Sequence, residues 1–158
     1  WFVQNVKIVP DADTEILALD SLNTRQTAIV QKKFANEITS KIFPVDSTDS
    51  IELVAHQPNY LKYKSNSAKE KLAVFSEVYY PEGWNVYVDG NEANYFKADY
   101  ILRAMMVPKG THIIEFKFEP EVVKTGSNIS LASNIVLILI VLGGLFYGYR
   151  KKTSTAEA

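Results

Sequence analysis

Residues 72–120 read LAVFSEVYYPEGWNVYVDGNEANYFKADYILRAMMVPKGTHIIEFKFEP, and their pattern decides the fold. Trp84, Val86 and Val88 alternate with Asn85, Tyr87 and Asp89, which is the period-2 signature of a half-buried strand. Asp89-Gly90 follows at once, and a tight type I′ hairpin turn needs the positive φ that such a pair supplies. Pro108-Lys109-Gly110 marks a second reversal, expected between strands over 100–107 and 111–119. In the last of these, His112, Ile114, Phe116 and Phe118 share one face; Ile113, Glu115, Lys117 and Glu119 share the other. The expected arrangement is an antiparallel meander with one wet and one dry face.

Outward from this stretch the signals are weaker. Residues 1–9 alternate well enough for a first strand, closed by Pro10. Asp11, Asp13 and Thr14 offer N-caps ahead of Ile16, Leu17, Leu19 and Leu22, so a short helix over about 13–22 is expected, its apolar face on a sheet. Residues 26–34 suggest a second strand, and 50–57 with 59–65 an adjacent pair around Pro58. The intervening segment 35–50 is rich in turn residues, with one short strand near Ile42-Phe43. The fold class is therefore all-β: an antiparallel sandwich over residues 1–126 with one short helix.

Composition excludes several functions. A net charge of −1 gives no field to hold nucleic acid. The chain has no cysteine, which removes disulfide scaffolds and thiolate metal sites. His56 and His112 lack ligand spacing, so no metal is expected, and no motif calls for a cofactor. Hydrophobic residues make up 47% of the chain, enough for an ordinary core. The first residue is Trp1, not Met, and the chain reads as a piece of a longer protein.

Ile129–Tyr149 is ISLASNIVLILIVLGGLFYGY, 21 residues without a charge. A helix rises about 1.5 Å per residue, so this run suffices for a hydrocarbon core of roughly 30 Å. Arg150-Lys151-Lys152 and the flanking Tyr147 and Tyr149 favour a membrane span over a buried globular helix. The expected organisation is a span over 127–149, a cytoplasmic tail over 150–158, and residues 1–126 on the extracytoplasmic side of the cell membrane. Gly144-x-x-x-Gly148 suits close packing on a neighbouring helix, or is ordinary glycine content of a membrane helix.

The runs SEVYYPEGWNVYVDG (76–90) and YILRAMMVPKGTHIIEFKFEP (100–120), followed by a hydrophobic helix and Arg150-Lys151-Lys152, resemble the C-terminal end of the bacterial YfhO family. That resemblance is specific over residues 70–152 and looser over the first 70, and it implies a large multi-pass membrane protein similar to glycosyltransferases that use lipid-linked sugars. In that class the catalytic acidic residue lies in an early extracytoplasmic loop, so no catalytic residue is carried over to this chain. The implied role is a non-catalytic accessory domain acting in cell-envelope glycan modification. Its implied partners are membrane lipid, sibling transmembrane helices and glycan. The alternative is a membrane-tethered structural or carbohydrate-binding module with no transferase role.

Two constellations merit a place in the structure. Tyr79, Tyr80, Trp84 and Tyr87, near Glu77, Glu82 and Asn85, offer flat rings for sugar C–H faces and polar groups for hydroxyls. Carbohydrate contact is assigned to Tyr79, Tyr80, Trp84, Glu77 and Glu82; the competing reading is that the rings simply pack a sheet. Arg103 lies in an apolar strand and must be paired if buried, with Glu77 or Glu115 as the expected partner. Asn128-Ile129-Ser130 matches a glycosylation triplet but abuts the span and is set aside.

Overall fold

The computed structural model describes residues 1–44 and 46–155; the side chains of Lys124 and of residues 145–155 lie outside the described set. Two compact units divide the chain at residue 119.

The first unit is built in three layers. The outer sheet holds β3 (Ser50–Gln57), β4 (Tyr60–Ser67), β10 (Gly110–Phe118), β6 (Trp84–Val88) and β7 (Asn91–Ala93), in that spatial order. The central sheet holds β5 (Lys71–Val78), β9 (Leu102–Val107) and β8 (Phe96–Ala98). A third layer consists of β1 (Asn5–Val9) and β2 (Thr27–Gln31), paired in parallel and joined by helix α1 (Ala12–Leu19). Among the described residues this is the one parallel pairing in an otherwise antiparallel fold, and the helix supplies the crossover that parallel strands require.

Side-chain alternation explains the layering. Ala73 and Phe75 of β5 join Met105 and Val107 of β9 against Leu61, Tyr63, Val86, Ile114 and Phe116 of the outer sheet. Leu72 and Val74 point the other way, onto Val3, Val6, Ala28, Val30 and Phe43. The central sheet is thus dry on both faces, which is why Leu72–Phe75 is buried throughout and reads LAVF without a polar break. Backbone bonds from residues 1–3 (Val3 amide to the Leu72 carbonyl, 3.1 Å; Val74 amide to the Trp1 carbonyl, 2.8 Å) cover the outer edge of β5.

The expected meander is corrected here. Strand β10 pairs with β4 and β6, never with β9, so Pro108-Lys109-Gly110 is an arch from one sheet to the other and not a hairpin turn. Alternation fixes which residues face inward, but two strands in sequence can satisfy it equally well from opposite sheets. The Asp89-Gly90 hairpin is as read, with φ of 50° and 83°, joining β6 to β7.

Helix α1 is capped by Asp11, whose Oδ1 accepts the Thr14 amide at 2.8 Å. Its inward face is not the expected one: Ala18, with Leu19 and Leu22, packs on Val9 and Ile29, while Ile16 and Leu17 are exposed. Glu15 takes the central inward position instead. Residues 32–37 form a 3-10 turn after β2, and Ile42 contributes only a single bridge to Asn5.

The second unit is the helix α2 (Glu121–Thr155), which begins ahead of Gly126. Over Glu121–Gly144 it is long and apolar enough to cross a membrane, by length and composition. Gly144 is exposed, with nothing within 4 Å of where a Cβ would stand; Gly148, Tyr147, Tyr149 and Arg150–Lys152 fall outside the described side chains.

The β6–β7 turn carries a pH-sensitive clasp. His112 Nδ1 lies 2.6 Å from Asp89 Oδ2, and its Nε2 lies 2.9 Å from the Lys109 carbonyl. Both partners are acceptors, so only the imidazolium satisfies both nitrogens. The Asp89 bond, then the Lys109 carbonyl, raise the His112 pKa above its ordinary 6.5. The His112 bond, then the Ile113 amide, lower that of Asp89. The raised histidine contributes stability fully below 6.5 and loses it as pH climbs through the raised value. The depressed aspartate contributes above its ordinary 3.8 and loses it on acidification. An NMR titration of the imidazole should therefore place its midpoint above 6.5 in the native chain and return it toward 6.5 in Asp89→Asn.

Candidate functional site

A cleft of about 240 Å³ opens at the edge of the sandwich, lined by Trp1, Ile51, Leu53, Tyr63, Phe75, Ser76 and Glu77. Strand β3 supplies one wall through Ile51 and Leu53, and the end of β5 supplies the other. Between them Tyr63 and Phe75 meet edge to face at 4.8 Å, backed by Phe116 at 6.2 and 5.1 Å. The volume is below the roughly 300–1,000 Å³ of pockets that enclose drug-sized ligands, so it suits one small ring or the end of a chain.

The polar groups of the cleft are complementary. Burial, then the charge of Glu77, push the Tyr63 phenol up to about 12, so it remains a donor at every physiological pH. The Tyr63 hydroxyl makes no hydrogen bond among the described residues. Glu77 is half-buried and supplies the acceptor, and Ser76 is exposed beside it.

Arg103 sits behind this cleft, 3% exposed. The expected carboxylate pair is not formed: among the described residues Arg103 has no salt bridge, and Glu115 engages Lys117 at 3.4 Å and the Tyr60 hydroxyl. The guanidinium instead lies 4.3 Å from the Trp84 ring centroid and 5.2 Å from that of Phe116, with Nε donating to the Val78 carbonyl at 2.9 Å. Two aromatic faces thus do the work assigned to a carboxylate. Burial lowers its pKa, opposed by Tyr95, Glu77 and Tyr63.

The five proposed sugar contacts are dispersed. Glu77 alone lines the cleft. Trp84 is half-buried between Arg103 and Phe118, the latter at 5.4 Å. Tyr79 packs between Phe34 at 6.0 Å and Tyr95 at 5.5 Å, and burial raises its phenol pKa. Tyr80 and Glu82 are exposed around the Pro81–Gly83 bend. Tyr87 and Asn85 lie on the wet face of the outer sheet, both donating to Glu119 at 2.9 and 3.1 Å. Tyr63 and Phe75 were not singled out from sequence, because a tyrosine amid lysines and a phenylalanine in an apolar run carry no ligand signal.

A family model described as bacterial membrane protein YfhO matches residues 17–130, most of the β unit and the start of α2. The chain belongs to the YfhO family. The match takes in the last residues of α1, all of β2 and the strands that first suggested the family, and it ends at residue 130, at the start of the uncharged run. No curated protein matches the chain, and no solved structure does. A YfhO membrane protein with one apolar helix of spanning length is associated with a membrane.

Proposed function

We propose that this chain is the extracytoplasmic accessory domain of a YfhO membrane glycosyltransferase, holding acceptor glycan rather than performing sugar transfer. Membership of a membrane protein family supports the setting. The observation that carries the glycan-holding role is the cleft, where an aromatic floor of Tyr63 and Phe75 stands beside the hydroxyl donor of Tyr63 and the acceptor Glu77. A sugar ring offers an apolar C–H face and hydroxyls that both donate and accept; exposed Leu53 and half-buried Ile51 answer the first over the buried rings, and the Tyr63 hydroxyl with Glu77 answers the second. Membrane lipid and sibling helices of the parent are the other partners of this reading.

The test has two arms on the protein in its membrane. Single cysteines at positions 91 and 154 are treated in intact cells with an impermeant thiol reagent; labelling at 91 alone is expected, since basic flanks are retained inside. Labelling at 154 and not at 91 reverses the orientation. The solubilised chain is then applied to a glycan array beside Glu77→Gln. Binding weakened by that change is expected, and a native chain that binds nothing across a broad array removes the glycan-holding role.

A further inference from the structure

Away from the cleft, α1, β2 and the β8–β9 turn meet around two buried carboxyl groups. Glu15 is fully buried and Asp99 is 5% exposed. From α1, Glu15 accepts the Tyr100 amide on Oε1 at 2.9 Å and the Gln31 side-chain amide on Oε2 at 2.6 Å. Asp99 Oδ1 accepts the Ile29 amide at 2.8 Å, while the Asp99 amide donates to the Ile29 carbonyl at 2.9 Å. The remaining oxygen, Asp99 Oδ2, is buried with no hydrogen-bond partner among the described residues. The turn that delivers it is strained, with φ of 47° at Asp99 and 70° at Tyr100, neither of them glycine.

A bare carboxylate oxygen in such a place is costly, whereas a protonated one is a neutral group that keeps Oδ1 free for the Ile29 amide. We propose that Asp99 is a proton-dependent pin between the third layer and the central sheet. Protonated, it fastens the β8–β9 turn to β2 beside the Glu15–Tyr100 tie from α1; ionised, it sets a second negative charge beside Glu15 and loosens that seam. The charged neighbours are Glu15 from α1 and Lys97 from β8, the latter 3.9 Å from Glu15 Oε2 and over the Tyr100 ring. Strand β2 presents only the Ile29 peptide and the neutral Gln31. With an ammonium already beside Glu15, a proton suits the site better than a metal ion does.

Burial pushes the Asp99 pKa up to about 6, opposed by the Ile29 amide and aided by the Glu15 charge. A raised carboxyl contributes stability in full below its ordinary 3.8 and loses it as pH rises through about 6. The full chain in detergent micelles, native and Asp99→Asn, is melted at roughly pH 5.0 and 7.5, on either side of that midpoint. The uncharged isostere should melt higher than the native chain at the upper pH, with a smaller gap at the lower one. Amide exchange in α1 and β2 should slow in the variant at the upper pH only. Comparison within each pH cancels the His112 clasp. An equal gap at both values, or a variant less stable at the upper one, overturns the pin. A ¹³C titration of the native Asp99 carboxyl decides the matter even if the variant does not fold: a midpoint near 6 supports it, and one at or below the ordinary value of 3.8 overturns it.

Discussion

Phe116→Ala should lose about 3–5 kcal/mol of stability, the usual cost of hollowing a core at a large aromatic. Phe116 is fully buried and touches three other rings: Phe75 at 5.1 Å, Tyr95 at 5.6 Å and Tyr63 at 6.2 Å. It also forms one of the two aromatic faces beside Arg103, so truncation exposes a buried cation as well as opening a cavity. Against a total stability of roughly 5–15 kcal/mol, that loss removes much of the margin. Chemical denaturation of the native and variant chains measures it. Trp84→Ala, at a half-buried ring, should fall between this value and the ~0.5 kcal/mol of open surface sites.

Breaking the Lys71–Asp49 pair should cost a similar amount by a different route. Lys71 is 2% exposed; its ammonium lies 2.7 Å from Asp49 Oδ2 and also donates to the Pro44 carbonyl. Asp49 accepts the Asp46 amide at 2.7 Å, so the pair ties the loop before β3 to the start of β5. Burial opposes ionisation of Asp49, but the Lys71 contact and the surrounding amides prevail and hold its pKa down. Lys71→Met leaves that carboxylate buried without its cation, a change worth about 3–5 kcal/mol. Adding Asp49→Leu removes the stranded charge and should restore much of the loss, which a denaturation double-mutant cycle would reveal. Equal losses in the single and double variants would refute the pairing argument.

The parts of this structure legible in the sequence are those set by local rules. Asp89-Gly90 specified its turn, alternation specified the inward faces of β6 and β10, and the uncharged run specified α2. The adjacent pair β3–β4 around Pro58 was legible too, but longer-range strand partners were not, because the Pro108–Gly110 arch and a hairpin turn use the same residues. Arg103 was recognised as buried, yet its partners came from strands whose neighbours were unknown, and rings replaced the expected carboxylate. Glu15 looked like an ordinary acidic residue of a first helical turn. Asp99 and Tyr100 adopt a left-handed turn with no glycine to announce it. The cleft depends on β3 and β5 lying across from one another, a long-range fact that no local motif encodes.

The strand that leads into α2 is neither the first nor the last of its sheet: β10 is hydrogen-bonded along both edges, to β4 and to β6. Only Glu119 and Pro120 separate it from the helix. Any tug transmitted along the chain from the helix therefore enters the β unit at a strand clamped on two sides. An outermost strand could be peeled away one bond at a time, but here both ladders must rupture together. The chain thus leaves the β unit from an interior strand, so a pull on α2 loads two hydrogen-bonded ladders and not one.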